Sequence, residues 1–137
     1  MESLSATAEA VAPDTARINV LCVDDDSACL RILTAFLRRA GHSCHTAGNG
    51  AEALRILRES PQINLVITDV VMPEVDGHEL CSVIAAEFPE MKVIVVSGSP
   101  GQDVAPLRRC SVVQDVLSKP LRQREIVSVV HNAISAA

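Results

Sequence analysis

The sequence predicts an α/β fold, a doubly wound five-stranded parallel sheet with helices on both faces. Three observations carry this prediction. Strand-like and helix-like patterns alternate five times between Asn19 and Ile134, the order of repeated βα units rather than of a sandwich or a bundle. The apolar runs NVLCV (19–23), LVIT (65–68) and KVIVV (92–96) show no polar alternation, so both faces of each strand must be covered, as in a parallel sheet. Each run also stops on polar residues, Asp24-Asp25, Asp69 and Ser97. Sites of doubly wound sheets form outside the carboxyl ends of their strands.

The elements follow in order. Asn19 to Val23 is the first strand. Leu30, Leu33, Phe36 and Leu37 then recur at helical spacing, predicting a helix over 27–40 that Asp26 caps and Gly41 stops. Ser43 to Ala47 reads as a second, weaker strand, Asn49-Gly50 as a turn, and 51–59 as a helix with Leu54 and Leu57 inward. Ile63 to Thr68 is the third strand. Asp76 is the expected cap of a helix over 77–88, with Leu80, Val83 and Ile84 on one face. Lys92 to Val96 is the fourth strand, closed by Ser97-Gly98. A helix over 102–110 should be short or bent, because Pro106 sits inside it. The fifth strand, 112–117, is interrupted by Gln114 and Asp115 and leads into Lys119-Pro120. A last helix over 122–134 has its apolar stripe at Ile126, Val129, Val130 and Ile134.

The bulk composition sets limits. A chain of 137 residues, 48% hydrophobic and 21% charged, is the size and make-up of one globular domain. Trp and Tyr are absent and Phe occurs twice, so the core must be aliphatic. The net charge of -5 argues against a nucleic-acid binder, which needs a basic stripe. Cys22, Cys29, Cys44, Cys81 and Cys110 form no CxxC pair, which leaves them as small hydrophobes of a reducing cytoplasm. No apolar run is long enough to span a bilayer, so no membrane insertion is expected. The N-terminus lacks the features of a secretory signal; residues 1–17 read as a disordered tail and 18–137 as one domain. His42, His45, His78 and His131 share no motif and read as surface or packing residues. Arg38-Arg39 and Arg108-Arg109 read as solvated faces.

The predicted topology gathers chemistry at one edge. The first strand ends in Asp24 and Asp25, the third in Asp69, the fourth in Ser97 and the fifth in Lys119. Crowded carboxylates repel, and a divalent cation relieves the repulsion. Carboxylates with a backbone carbonyl and water suit Mg²⁺. Aspartate is a nucleophile that forms acyl phosphates, lysine neutralises a phosphoryl oxygen, and a serine hydroxyl can hydrogen-bond another. Each of these residue types has a role in phosphoryl transfer.

VDD at 23–25, TDVVMPEVDG at 68–77, VVSG at 95–98 and SKP at 118–120 together resemble the receiver domain of two-component response regulators, in order and spacing, over almost the whole chain after Arg17. The resemblance implies a flavodoxin-like (βα)5 fold with strand order 2-1-3-4-5. It implies Asp69 as phosphoacceptor, and Mg²⁺ held by Asp24, Asp25, Asp69 and the carbonyl of Val71. Of the acidic pair, Asp25 would be the more direct ligand and Asp24 would act through water. It further implies Ser97 as the switch hydroxyl, Lys119 as the lysine that contacts the phosphoryl group, and a cis bond from Lys119 to Pro120. The implied donor is a phosphohistidine on a sensor histidine kinase or histidine phosphotransfer protein. The chain would act as a switch that binds a downstream protein, as a relay shuttle or as a phosphate sink, between which the sequence does not decide, and not by enzymatic turnover. Met1 and the polar tail point to the stand-alone, single-domain type.

The chain departs from the family pattern in one region. The usual aromatic three residues before the lysine is Val116, the usual Gly-Ala pair is Val112-Val113, Gly98 replaces the commoner Ala, and Pro106 disturbs the fourth helix. An unusual output face is therefore expected. Val71, two residues past Asp69, is a poor guide for an attacking water, so the phosphoryl group should be lost slowly. Two other readings compete. A phosphorylation-silent receiver-like scaffold draws on the missing aromatic. A hydrolase of the haloacid dehalogenase type needs a second acid at the position of Val71 and a cap domain. A flavin-binding version of the fold lacks aromatic residues to stack on the ring.

Overall fold

The computed structural model describes residues 17–72, 75–98 and 104–135. Five strands, β1 (Asn19–Val23), β2 (Ser43–Ala47), β3 (Leu65–Asp69), β4 (Lys92–Ser97) and β5 (Val113–Ser118), alternate with five helices. These are α1 (Ser27–Arg39), α2 (Gly50–Glu59), α3 (Gly77–Glu87), α4 (Ala105–Arg108) and α5 (Gln123–Ser135). All strand pairs are parallel and the order across the sheet is β2-β1-β3-β4-β5, as expected.

The continuous apolar runs are explained by two cores. Leu21, Val66, Val93 and Val95 point to one face, where Leu54 and Leu57 of α2, Leu80 and Ile84 of α3 and Leu107 of α4 cover them. Val20, Cys22, Ile67, Ile94 and Val96 point to the other, under Leu33 and Leu37 of α1 and Ile126, Val129 and Val130 of α5. Alternate residues of one strand thus feed opposite cores, so the stretches between the strand ends, 20–23, 65–67 and 93–96, are apolar throughout. Asp26 Oδ1 accepts the Ala28 N–H at 2.9 Å and caps α1. Gly41, at φ 95°, turns the chain after it, a backbone state that glycine alone adopts without strain. Asp76 accepts the Glu79 N–H at 3.0 Å and caps α3.

Several boundaries differ from expectation. Asn49 is no turn residue: its Oδ1 accepts the Glu52 N–H at 2.8 Å, so it caps α2, and Gly50 is the first helical residue. β3 begins at Leu65 rather than Ile63. Asn64 is occupied in an exchange with Asn19, taking the Asn19 N–H on Oδ1 and donating its own N–H to Asn19 O, both at 2.9 Å. Gln114 and Asp115 do not break β5; Val93 pairs with Val113 and Ile94 with Asp115, so a bulge absorbs Gln114 on this edge strand. The helix predicted over 102–110 is the four-residue α4, with Pro106 in its first turn; the start of the predicted range lies outside the described residues. So does the expected N-terminal tail, apart from Arg17.

Ile94 is fully buried at the centre of the sheet. Ile94→Ala is expected to lower stability by about 3 kcal/mol through lost burial and a residual cavity, read as a lower urea midpoint at unchanged slope.

Candidate functional site

The carboxyl edge of the sheet brings together the residues the sequence singles out. Asp24 follows β1 and Asp69 ends β3, adjacent strands. Both are buried, at 6% and 8% exposure, while Asp25 is exposed. One carboxylate oxygen from each of Asp24, Asp25 and Asp69 lies within 4.8 Å of the other two. Lys119 reaches in from the end of β5. Its Nζ stands 3.0 Å from Asp24 Oδ2 and 3.4 Å from Asp69 Oδ2. The remaining oxygens are held by backbone, Asp24 Oδ1 by the Asp26 N–H and Asp69 Oδ1 by the Val70 N–H, at 2.9 and 2.8 Å.

Ser97, at the end of β4, is buried, and its carbonyl accepts the Lys119 N–H at 2.9 Å. The Lys119–Pro120 bond is cis. Val71 is 61% exposed at the rim. The structure therefore clusters the three carboxylates with Lys119, and places Ser97 and Val71 on the flanking strand end and loop.

The electrostatics of the cluster are unbalanced. Burial pushes the Asp69 carboxyl above its ordinary range and the Asp24 charge adds to this, against the pull of Lys119 and the Val70 N–H. Burial alone would lower the Lys119 ammonium. The hydrogen bond to Asp24 and the charges of Asp69 and Asp24 outweigh it and hold the group charged. One ammonium offsets only one of three carboxylates. A donor set of hard oxygens with excess negative charge fits a hard divalent cation such as Mg²⁺.

Two features of the site were not foreseen. Gly77 sits against the backbone below Asp69: a Cβ there would fall 2.5 Å from Asp69 O and 2.8 Å from Val70 Cα, and its N–H donates to Val70 O at 2.7 Å. The Asp-Gly pair at 76–77 was readable only as a cap and helix start. Beside Asp69 and Lys119 a cavity of about 380 Å³ opens between α1 and the sheet, walled by Val23, Ile32, Leu33, Ile67 and Leu121 with Cys29 at its side. Nothing in the local sequence pattern signals a gap there. Of the departures, Gly98 carries no steric demand, since a Cβ would meet Lys119 Cδ at 3.6 Å, an ordinary contact.

The fold and this cluster define a signalling receiver, and comparison with known proteins agrees. Residues 20–131 match the family model described as the response regulator receiver domain. The chain belongs to that family, whose members act in two-component signalling. It is 33% identical over 118 residues to the response regulator receiver protein CpdR of Brucella abortus, covering 86% of this chain and 98% of that protein. The two-component response regulator ORR24 of Oryza sativa subsp. indica is 35% identical over 118 residues, and there the chain spans 19% of the relative's length. Among solved structures, a receiver domain protein from Clostridium thermocellum superposes with a TM-score of 0.80 at 31% identity, covering 87% of this chain and 95% of that one. A receiver protein from Pseudomonas putida gives 0.78, also at 31% identity, covering 85% and 98%. Among the described residues no helix is long and apolar enough to cross a membrane.

Two expectations follow. Because the folded-state carboxyl of Asp69 is raised, its ionisation opposes folding. The associated stability is present below the ordinary carboxylate range and is lost as pH rises through the raised value. In chelator at neutral pH, Asp69→Asn should therefore raise the thermal midpoint by a few degrees, with the gain vanishing in acid. Gly77→Ala should cost about 2 kcal/mol by overpacking and displace the Asp69 and Val70 amide resonances.

Proposed function

We propose that Asp69 accepts a phosphoryl group in a Mg²⁺-dependent reaction, and that the modified chain signals by binding another protein. The observation that carries this is the convergence of Asp24, Asp25 and Asp69 on Lys119, whose Nζ lies 3.0 and 3.4 Å from two of the carboxylates. The donor is a phosphohistidine of a sensor histidine kinase or a histidine phosphotransfer protein. An Asp69 oxygen forms the new O–P bond as the P–N bond to imidazole breaks, and the freed imidazole takes a proton from solvent. The Val70 N–H fixes Asp69 Oδ1 and so orients the nucleophile.

Asp24, Asp25, Asp69 and the Val71 carbonyl would hold Mg²⁺, which screens the attacking carboxylate from the incoming phosphoryl oxygens. Lys119 exchanges its carboxylate contacts for a phosphoryl oxygen, and the Ser97 hydroxyl donates to another. The apolar, exposed side chain of Val71 offers an attacking water no hydrogen bond, so the acyl phosphate is long-lived. A single-domain mode of action belongs to this reading and draws support from the match over nearly all of CpdR.

The competing reading is a phosphorylation-silent scaffold. Val116 in place of an aromatic and the four-residue α4 favour it. Intact-mass analysis after incubation with a small acyl phosphate separates the two. The expected result is one added phosphoryl group with Mg²⁺, none with chelator and none on Asp69→Ala. Absence of the adduct on the wild-type chain, with Mg²⁺ binding verified and a phosphorylated histidine phosphotransfer protein also failing as donor, would establish the scaffold instead.

A further inference from the structure

The amino edge of the sheet, opposite the carboxylates, holds a cleft of about 520 Å³ lined by Arg17, Arg38, Gly41, His42, Ser43 and Cys44. β1 begins at Asn19 and β2 at Ser43, so the cleft is a full strand length from Asp24 and Asp69. No carboxylate lines it among the described residues, although the chain as a whole carries a net charge of -5.

Its polar groups are donors. The Arg17 guanidinium is exposed at the rim and donates through Nε and Nη2 to Ser43 Oγ at 3.3 and 3.1 Å. With its oxygen accepting, the Ser43 hydroxyl is left to donate. Arg38, in the last turn of α1, is exposed and lines the cleft. His42 is 6% exposed. Its Nδ1 accepts the Ile18 N–H at 3.3 Å, which places the proton of the neutral ring on Nε2. Burial holds the ring in that neutral form. Among the described residues Nε2 has no hydrogen-bond partner, and a buried donor without one is costly and calls for an explanation.

We propose that this cleft binds a phosphate-type oxyanion, gripped by the Arg17 and Arg38 guanidiniums and by the donors Ser43 Oγ–H and His42 Nε2–H. Guanidiniums suit such a group because their planar fork matches two of its oxygens. The buried imidazole lining the cleft adds a donor with no partner of its own among the described residues, which distinguishes the cleft from a pair of surface arginines. The group is either free phosphate or the terminal phosphate of a small molecule. The site is independent of phosphoryl transfer at Asp69.

The test is an NMR titration of the full chain in chelator at constant ionic strength, with inorganic phosphate in one arm and adenosine monophosphate in the other. Saturable shifts confined to Arg17, Ile18, Gly41 to Cys44 and the His42 ring are expected. Arg38→Ala and Arg17→Gln, both at exposed positions, should each weaken binding about tenfold, the scale of one charge-assisted hydrogen bond. Equal affinity in the two arms identifies the phosphate group alone as the ligand; tighter binding of the nucleotide identifies a phosphomonoester. Shifts that do not saturate, that survive both substitutions unchanged, or that centre on Asp24 and Lys119 would overturn the proposal.

Discussion

A single ammonium ties the carboxyl edge together. Lys119 leaves β5, passes the end of β4, and reaches the carboxylates after β1 and in β3. Without it, Asp24 and Asp69 would face each other with no counter-charge from the protein, and like charges so close repel. Much of the neighbouring backbone serves this contact. The Lys119 N–H is pinned to Ser97 O, Asp26 and Val70 hold the far carboxylate oxygens, and Gly77 lets α3 start directly beneath Asp69. A buried ion cluster of this kind adds little to stability, because desolvation cancels much of the attraction. Its assembly from four separate chain segments is better explained by function, since perturbed groups gather where chemistry is done.

The parallel sheet also separates charge by its poles. All strands run the same way, so every strand start lies at one edge and every strand end at the other. The ends collect Asp24, Asp25 and Asp69; the starts carry Arg17, Ser43 and, just ahead of β2, His42. Between the poles β1 is buried along almost its whole length. A rigid, dry strand is what keeps a donor-lined cleft and an acidic cluster from neutralising each other.

How much of this could be read from the residues depends on how local the cause is. The central strands were plain because burial on both faces disfavours polar residues, and 20–23, 65–67 and 93–96 contain none. Asp26 and Asp76 were recognisable as caps because capping acts within three residues. The site residues followed from topology, since strand ends converge whatever lies between them. Misreadings arose where a distant partner decides. Ile63 looks like strand, yet the Asn64–Asn19 exchange ends the ladder one residue after it. Gly77 is required by the Asp69 backbone eight residues earlier. His42 reads as a packing residue and is buried as one, accepting the Ile18 N–H from 24 residues away; its unmatched nitrogen shows only when the ring's surroundings are known.

The region that departs from the family also has the shortest helix and an edge strand. α4 has four residues and no side-chain cap, and β5 is an edge strand with a bulge. Under the proposed function, a phosphoryl group on Asp69 would compete for the Lys119 ammonium. Lys119 is bonded through its N–H to Ser97 O, and Ser97 pairs with Ser118 across β4 and β5. Any movement of the lysine is therefore passed to the ends of both strands by backbone hydrogen bonds. That route needs no aromatic side chain to swing, which is how a chain with Val116 can retain a response at this edge. Under that reading the state would be carried by a shift in the sheet's own corner.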